Sequence, residues 1–135
     1  MPVGVDTGFF FLLEAENETA VRIWNNKEII TSAVVLYELQ KKLLQGHFKG
    51  WPTLLEDIKR SVVTVSFTPE IALRAGHLAH GTGMPGLDAL ILASLLDAGC
   101  NEIYTTDPHF RLFKEKGVSI ILFGRQEKPD GNLKP

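Results

Sequence analysis

Pro2-Val3-Gly4-Val5-Asp6-Thr7-Gly8-Phe9-Phe10-Phe11-Leu12-Leu13 opens the chain with a short apolar strand, Pro2 to Asp6, that gives way at once to a helix or helical turn. The same alternation continues downstream. Ala20, Val21, Ile23 and Trp24 suit a second helix, and Glu28 to Thr31 reads as a strand, with Ser32 as the N-cap of a third helix. That helix, Ser32 to Gln45, gathers Val34, Val35, Leu39, Leu43 and Leu44 on a broad apolar side and stops at Gly46. A helix is expected from Pro52 to Arg60, then a β-branched strand at Val62-Val63-Thr64-Val65. Thr68-Pro69-Glu70 starts another helix, with proline at its first position.

Farther on, Gly81-Thr82-Gly83-Met84-Pro85-Gly86 is expected to break the chain before a helix from Leu87 to Ala98 that ends at Gly99. Ile103 to Thr106 reads as a fourth strand, Pro108 to Lys116 as a short helix and Val118 to Phe123 as a fifth strand. Strands alternating with helices imply a three-layer α/β sandwich around a mainly parallel sheet, because right-handed crossovers cover both faces. No repeat of fixed period interrupts the pattern. One domain, 1–123, is expected, followed by a polar tail, 124–135, that is mobile or ordered by a partner.

The bulk numbers bound the function. At 135 residues, 44% hydrophobic and 22% charged, the chain is a single soluble domain with a real core. Its longest apolar runs, such as Ala89 to Leu96, are too short to cross a bilayer, and no basic flank precedes the first apolar stretch, so a cytoplasmic location is expected. The lone Cys100 cannot form an internal disulfide and lacks the neighbours of a zinc site. A formal net charge of -2 excludes a global basic field, so any nucleic acid must be held by a local patch.

Four acids carry the chemistry. Asp6 closes the first strand, Glu38 sits inside an apolar helix, Asp88 opens a helix and Asp107 closes the fourth strand. Asp6 and Asp107 can each serve simply as helix caps, and Asp88 as a first-turn carboxylate favoured by the macrodipole. Glu38 is harder to dismiss, since it lies far from either helix end, although it can instead pair with Lys42 on an exposed stripe. In a parallel α/β sheet, residues at the carboxyl ends of strands meet in the crevice where ligands bind. Four carboxylates gathered there repel one another unless a cation intervenes, and an all-oxygen donor set suits Mg²⁺ or Mn²⁺ better than zinc.

Thr7, Thr105 and Thr106 are candidate hydroxyl supports for these carboxylates. Lys41, Lys42, Lys49, Lys59 and Arg60 are candidate phosphate contacts, with Arg111 and Lys114 near the last acid; each is otherwise a solvated charge. His109 invites an acid-base role but reads first as a surface residue at a helix start, and His47, His77 and His80 show no compelling metal-ligand spacing. Trp24, Trp51 and Phe9-Phe10-Phe11 exceed what so small a core demands; most can still be core, and some are candidates for an interface.

In order and spacing these motifs resemble the PIN-domain ribonucleases, in particular the VapC-like toxins of type II toxin-antitoxin modules. The resemblance is carried by Val5-Asp6-Thr7, by Thr31-Ser32 with Glu38-Leu39, by Asp88-Ala89 through Ala93, and by Thr105-Thr106-Asp107-Pro108-His109-Phe110. It implies a five-stranded sheet of order 3-2-1-4-5, Mg²⁺ or Mn²⁺ dependence, endonucleolytic cleavage of RNA, a homodimer and a cognate antitoxin. Asp6 and Asp88 are then the expected principal metal ligands, Asp107 a direct or water-mediated ligand, and Glu38 a second-metal ligand or a group that orients water. Two other classes stay open: a catalytically silent PIN-like module that binds RNA or protein, and a phosphotransfer domain with Asp6 as nucleophile, which lacks a second acid two residues on.

Overall fold

A computed structural model describes residues 2–124. Its five strands are β1 (Val3–Val5), β2 (Ile29–Ser32), β3 (Val63–Val65), β4 (Glu102–Thr105) and β5 (Ser119–Leu122), in the order β3-β2-β1-β4-β5. Every neighbouring pair is parallel, so the sheet expected to be mainly parallel is wholly so. The helices are α1 (Thr7–Glu14), α2 (Glu18–Asn26), α3 (Ala33–Leu44), α4 (Leu54–Ser61), α5 (Pro69–Thr82) and α6 (Gly86–Asp97), with a 3₁₀ helix at Pro108–Leu112. The expected tail, apart from Gly124, lies outside the described residues.

The strand order determines the layers. From β1 the chain winds outward through β2 to β3, then crosses back beyond β1 to β4 and β5. Right-handed crossovers in opposite directions put α1–α4 on one face and α5–α6 on the other. The α6 helix is the most enclosed, with Ala89, Ile91, Leu92, Ala93, Ser94 and Leu95 all buried. It can press on the middle of the sheet because Gly4 has no side chain: a Cβ there would stand 3.1 Å from Leu95 and 3.2 Å from the Cys100 sulfur. Burial pushes the Cys100 thiol up to about 11, in keeping with a purely structural residue.

Several strand ends shift by a residue, and three helix boundaries differ in ways that bear on the packing. The helix expected over Pro108–Lys116 is a 3₁₀ turn of five residues, which brings Phe110 and Phe113, three apart, into the core together. The α5 helix runs through Gly81 and Thr82 and stops only at Gly83, whose φ of 76° is the left-handed cap conformation. Thr82 secures that end by donating to the Leu78 carbonyl (2.7 Å) and accepting from the Met84 amide (3.1 Å). The helix expected from Pro52 begins at Leu54, with Thr53 as its N-cap residue.

The aromatics are largely internal, the core alternative being the one realised for most of them. Phe9 and Phe10 are fully buried, Phe11 packs against Phe48 with centroids 4.4 Å apart, and Trp24 meets Trp51 edge-to-face at 5.7 Å. Large side chains that do face solvent are aliphatic for the most part, Leu44 and Leu73 being the most exposed.

Gly8 marks the tightest approach between a helix and the chain beyond β4: a Cβ at Gly8 would sit 2.0 Å from the Thr106 hydroxyl oxygen and 3.0 Å from the Thr106 Cβ. Gly8→Ala is therefore expected to destabilise the domain by about 1–3 kcal/mol through overpacking. Adding Thr106→Ala should recover part of that loss. Urea unfolding of both single variants and the double variant measures the coupling, and strict additivity would contradict the contact.

Candidate functional site

Asp6 is the residue after β1 and caps α1, accepting the Phe9 amide at 3.2 Å through Oδ1. Its other oxygen accepts from the Thr105 hydroxyl at 2.5 Å, across 99 residues of sequence. Thr105 closes β4 and is itself buried, and its hydroxyl also accepts from the Asp107 amide at 2.9 Å. One hydroxyl thus joins the carboxyl ends of the two central strands. Asp107 caps the 3₁₀ helix by accepting the His109 amide at 2.9 Å. Capping and site formation are therefore compatible uses of the same carboxylates.

Glu38 enters from α3. The Thr7 hydroxyl donates to its carboxylate, and no ion pair joins Glu38 to Lys42 among the described residues, so the surface-pair alternative is not realised. Asp88 enters from the first turn of α6, where no side chain caps the helix and the macrodipole favours negative charge. Asp6, Glu38, Asp88 and Asp107 line a single cavity of about 260 Å³ together with Thr7, Gly8 and Thr106. All four sequence-derived acids therefore meet at the carboxyl edge of the sheet, where the strand order reverses between β1 and β4.

Lys41 and Lys42 share the cavity wall. The other basic candidates are elsewhere: Arg60 lies 3.7 Å from Asp57, while Arg111 and Lys114 line a separate cavity of about 510 Å³ beside β5. Lys49 and Lys59 are exposed and do not line the acidic cavity. Of the threonines, Thr7 and Thr105 reach the carboxylates by hydroxyl hydrogen bonds, whereas Thr106 assists Asp6 through its backbone.

The acids feel one another. Burial pushes the Asp6 carboxyl up to about 6, with a smaller upward push from Asp107; Thr105 and the Phe9 and Thr106 amides work in the opposite direction. For Asp88, burial comes first, then the charge and hydrogen bond of Asp107, with Glu38 adding a little, and the carboxyl is pushed up to about 7 against the pull of His109. One buried carboxylate, Asp6, and three partly buried ones form an oxygen-rich cavity that a hard divalent cation fits, since it would supply the missing positive charge.

Two contributors escaped the sequence reading. His109, assigned to the surface, is indeed exposed, yet its Nδ1 lies 2.8 Å from Asp107 Oδ1 and 3.8 Å from Asp88 Oδ2. Ser94, fully buried in α6, accepts the Ser32 hydroxyl at 3.0 Å and donates to the Leu90 carbonyl at 2.8 Å. Because Ser32 caps α3, this pair fixes the helix carrying Glu38 against the helix carrying Asp88. A lone hydroxyl in the apolar run Ala89–Leu96 was the available signal.

A comparison with curated protein sequences gives no match. Solved structures do resemble the chain. VapBC2 from Rickettsia felis, bound to a DNA fragment from their promoter, aligns with a TM-score of 0.71 at 15% identity, covering 92% of this chain and 100% of that one. A toxin-antitoxin complex from Klebsiella pneumoniae aligns with a TM-score of 0.67 at 18% identity, covering 86% and 94%. VapC20 of Mycobacterium tuberculosis, a sarcin-ricin loop cleaving toxin, aligns with a TM-score of 0.63 at 22% identity, covering 81% and 92%. At such identities the likeness establishes the shared fold. The sequence model of the PIN domain matches residues 3–116, and the chain belongs to the PIN domain family.

Proposed function

We propose that this chain is an endoribonuclease dependent on a divalent cation, Mg²⁺ or Mn²⁺, and that it acts in the cytoplasm as the toxin of a toxin-antitoxin pair. The observation that carries the proposal is the convergence of Asp6, Glu38, Asp88 and Asp107 on one cavity from four separate elements. Capping alone does not require that convergence, and it leaves Glu38 unexplained. In the proposal Asp6 and Asp88 are the principal cation ligands, Asp107 binds directly or through water, and Glu38 holds a second cation or orients water. When bound, the cation would place positive charge against the phosphoryl oxygens and acidify a neighbouring water molecule.

The chain's own groups do the positioning. Thr105 and the Phe9 amide fix both oxygens of Asp6, and Thr7 fixes Glu38, so these ligands need little reorganisation on binding. Lys41 and Lys42 at the cavity wall are suited to hold the phosphates flanking the cleaved bond, which meets the need for a local basic patch. The antitoxin partner is proposed on the strength of the fold shared with toxin-antitoxin structures. A homodimer completes the proposal, and exposed Leu73 of α5 and Leu87 of α6 offer apolar surface for it.

RNA cleavage by the purified chain should require Mg²⁺ or Mn²⁺ and stop on chelation with EDTA. Asp6→Asn and Asp88→Asn should each reduce the rate by at least about 100-fold, and Thr105→Val by about 10–100-fold. A silent binding module would give no cation-dependent cleavage in any variant, and retention of full activity by Asp88→Asn would reject the assigned site.

Proton linkage supplies an independent check. The carboxyls of Asp6 and Asp88 stand above the ordinary value of 3.8 in the folded chain, so between about pH 4 and pH 7 the unfolded chain loses these protons first. Their contribution to stability is whole below that window and falls as pH rises through it. Thermal melts of cation-free protein should accordingly show Asp88→Asn gaining a few degrees on the native chain between pH 4.5 and pH 7.5. Added Mn²⁺ should raise the native midpoint at pH 7.5 and leave Asp88→Asn nearly unmoved.

A further inference from the structure

The four-carboxylate site omits the imidazole beside it. Donor atoms of Asp88, Asp107 and His109 all lie within 4.8 Å of one another. The two carboxylates come from different elements, the first turn of α6 and the segment after β4, so His109 stands beside a pair of acids brought together by tertiary structure, at the rim of the acidic cavity rather than in its lining. We infer that His109 supplies a nitrogen ligand to the cation held by Asp88 and Asp107, and that this chain therefore prefers Mn²⁺ and later transition ions to Mg²⁺.

The ring is already aimed. Asp107 Oδ1 accepts both the His109 amide at 2.9 Å and the imidazole Nδ1 at 2.8 Å, so one oxygen fixes the backbone and the ring together. Pro108 between them restricts the intervening backbone. A helix-start hydrogen bond explains the contact with Asp107. It does not explain why the same Nδ1 stands 3.8 Å from Asp88 Oδ2. No lysine or arginine pairs with Asp88 or Asp107 among the described residues, so His109 is their single basic neighbour within ion-pair distance.

Ligation needs only a modest exchange. The imidazole would give up the proton that Nδ1 shares with Asp107 Oδ1 and offer the Nδ1 lone pair to the cation, with the remaining ring proton on Nε2, on a ring whose side chain is 55% exposed. Imidazole suits transition ions, whereas Mg²⁺ keeps oxygen ligands and much of its water. An Asp-Asp-His corner thus discriminates between cations that four carboxylates alone would treat more alike. His109 can act in this way only if the site binds a cation at all, as proposed above.

The test uses the full chain with Mn²⁺ alone and Mg²⁺ alone, comparing the native protein with His109→Ala by calorimetric titration. Pulsed electron paramagnetic resonance of the native Mn²⁺ complex reads directly whether a nitrogen is bonded to the ion, with no variant needed. Expected are a directly coordinated ¹⁴N signal in the native protein, its loss in His109→Ala, and Mn²⁺ affinity weakened about tenfold or more with Mg²⁺ affinity little changed. Absence of the ¹⁴N signal, or equal losses for both ions, overturns the role of His109 and leaves the carboxylate site standing. Failure of both ions to bind the native chain overturns the cation site itself, and this inference with it.

Discussion

Thr105 and Asp6 meet where the two central strands end side by side, and the carboxyl edge is organised around that contact. The hydroxyl donates to the carboxylate at 2.5 Å and accepts the Asp107 amide at 2.9 Å, so the acids beyond β1 and β4 share one fixed reference. The contact exists because the strand order reverses at β1, leaving a crevice between chain segments that depart to opposite faces of the sheet. Asp88 and Glu38 are added from the helices of those two faces. A hydroxyl pair, Ser32 with Ser94, keeps their carriers in register.

Gathering negative charge at a buried edge has an energetic consequence. The elevated carboxyls of Asp6 and Asp88 show that the folded chain resists full ionisation near neutral pH, with burial as the main cause and neighbouring acids as the next. Hydrogen bonds from Thr105 and the backbone offset part of that resistance. The remainder is what a bound cation would relieve, so affinity for the cation and fragility without it have the same origin. Proteins commonly hold functional sites at some expense of stability, and here the expense is localised to named side chains.

Much of the architecture was legible in the sequence because the cues were local. Strand-to-helix switches after Val5 and Ser32, proline at the start of α5 and glycine after α6 each act within a few residues. Boundaries failed for two different reasons, one of them a tertiary contact and the other a local hydroxyl bond at a helix end. The turn after Asp107 stays 3₁₀ as Phe110 and Phe113 enter the core, and α5 outlasts Gly81 because Thr82 bonds back to Leu78. At the site, the acids could be nominated from their positions at strand ends and within helices. Their company could not: the Gly8–Thr106 approach, the Ser32–Ser94 link and the approach of His109 to Asp88 are all products of packing between distant segments.

The long crossover from β3 to β4 bears on how the chain is made. The partner that β1 takes on its second side begins at residue 102, so during synthesis β1 stays an open edge until most of the sequence has left the ribosome. Asp6 waits equally long for Thr105 and Asp107. A nascent chain interrupted before that point carries at most three of the acids, without the strand that anchors Asp6 and delivers the fourth, and so has no assembled cavity. If the proposed action on RNA holds, the wiring of the sheet would postpone it until translation of the domain is nearly finished.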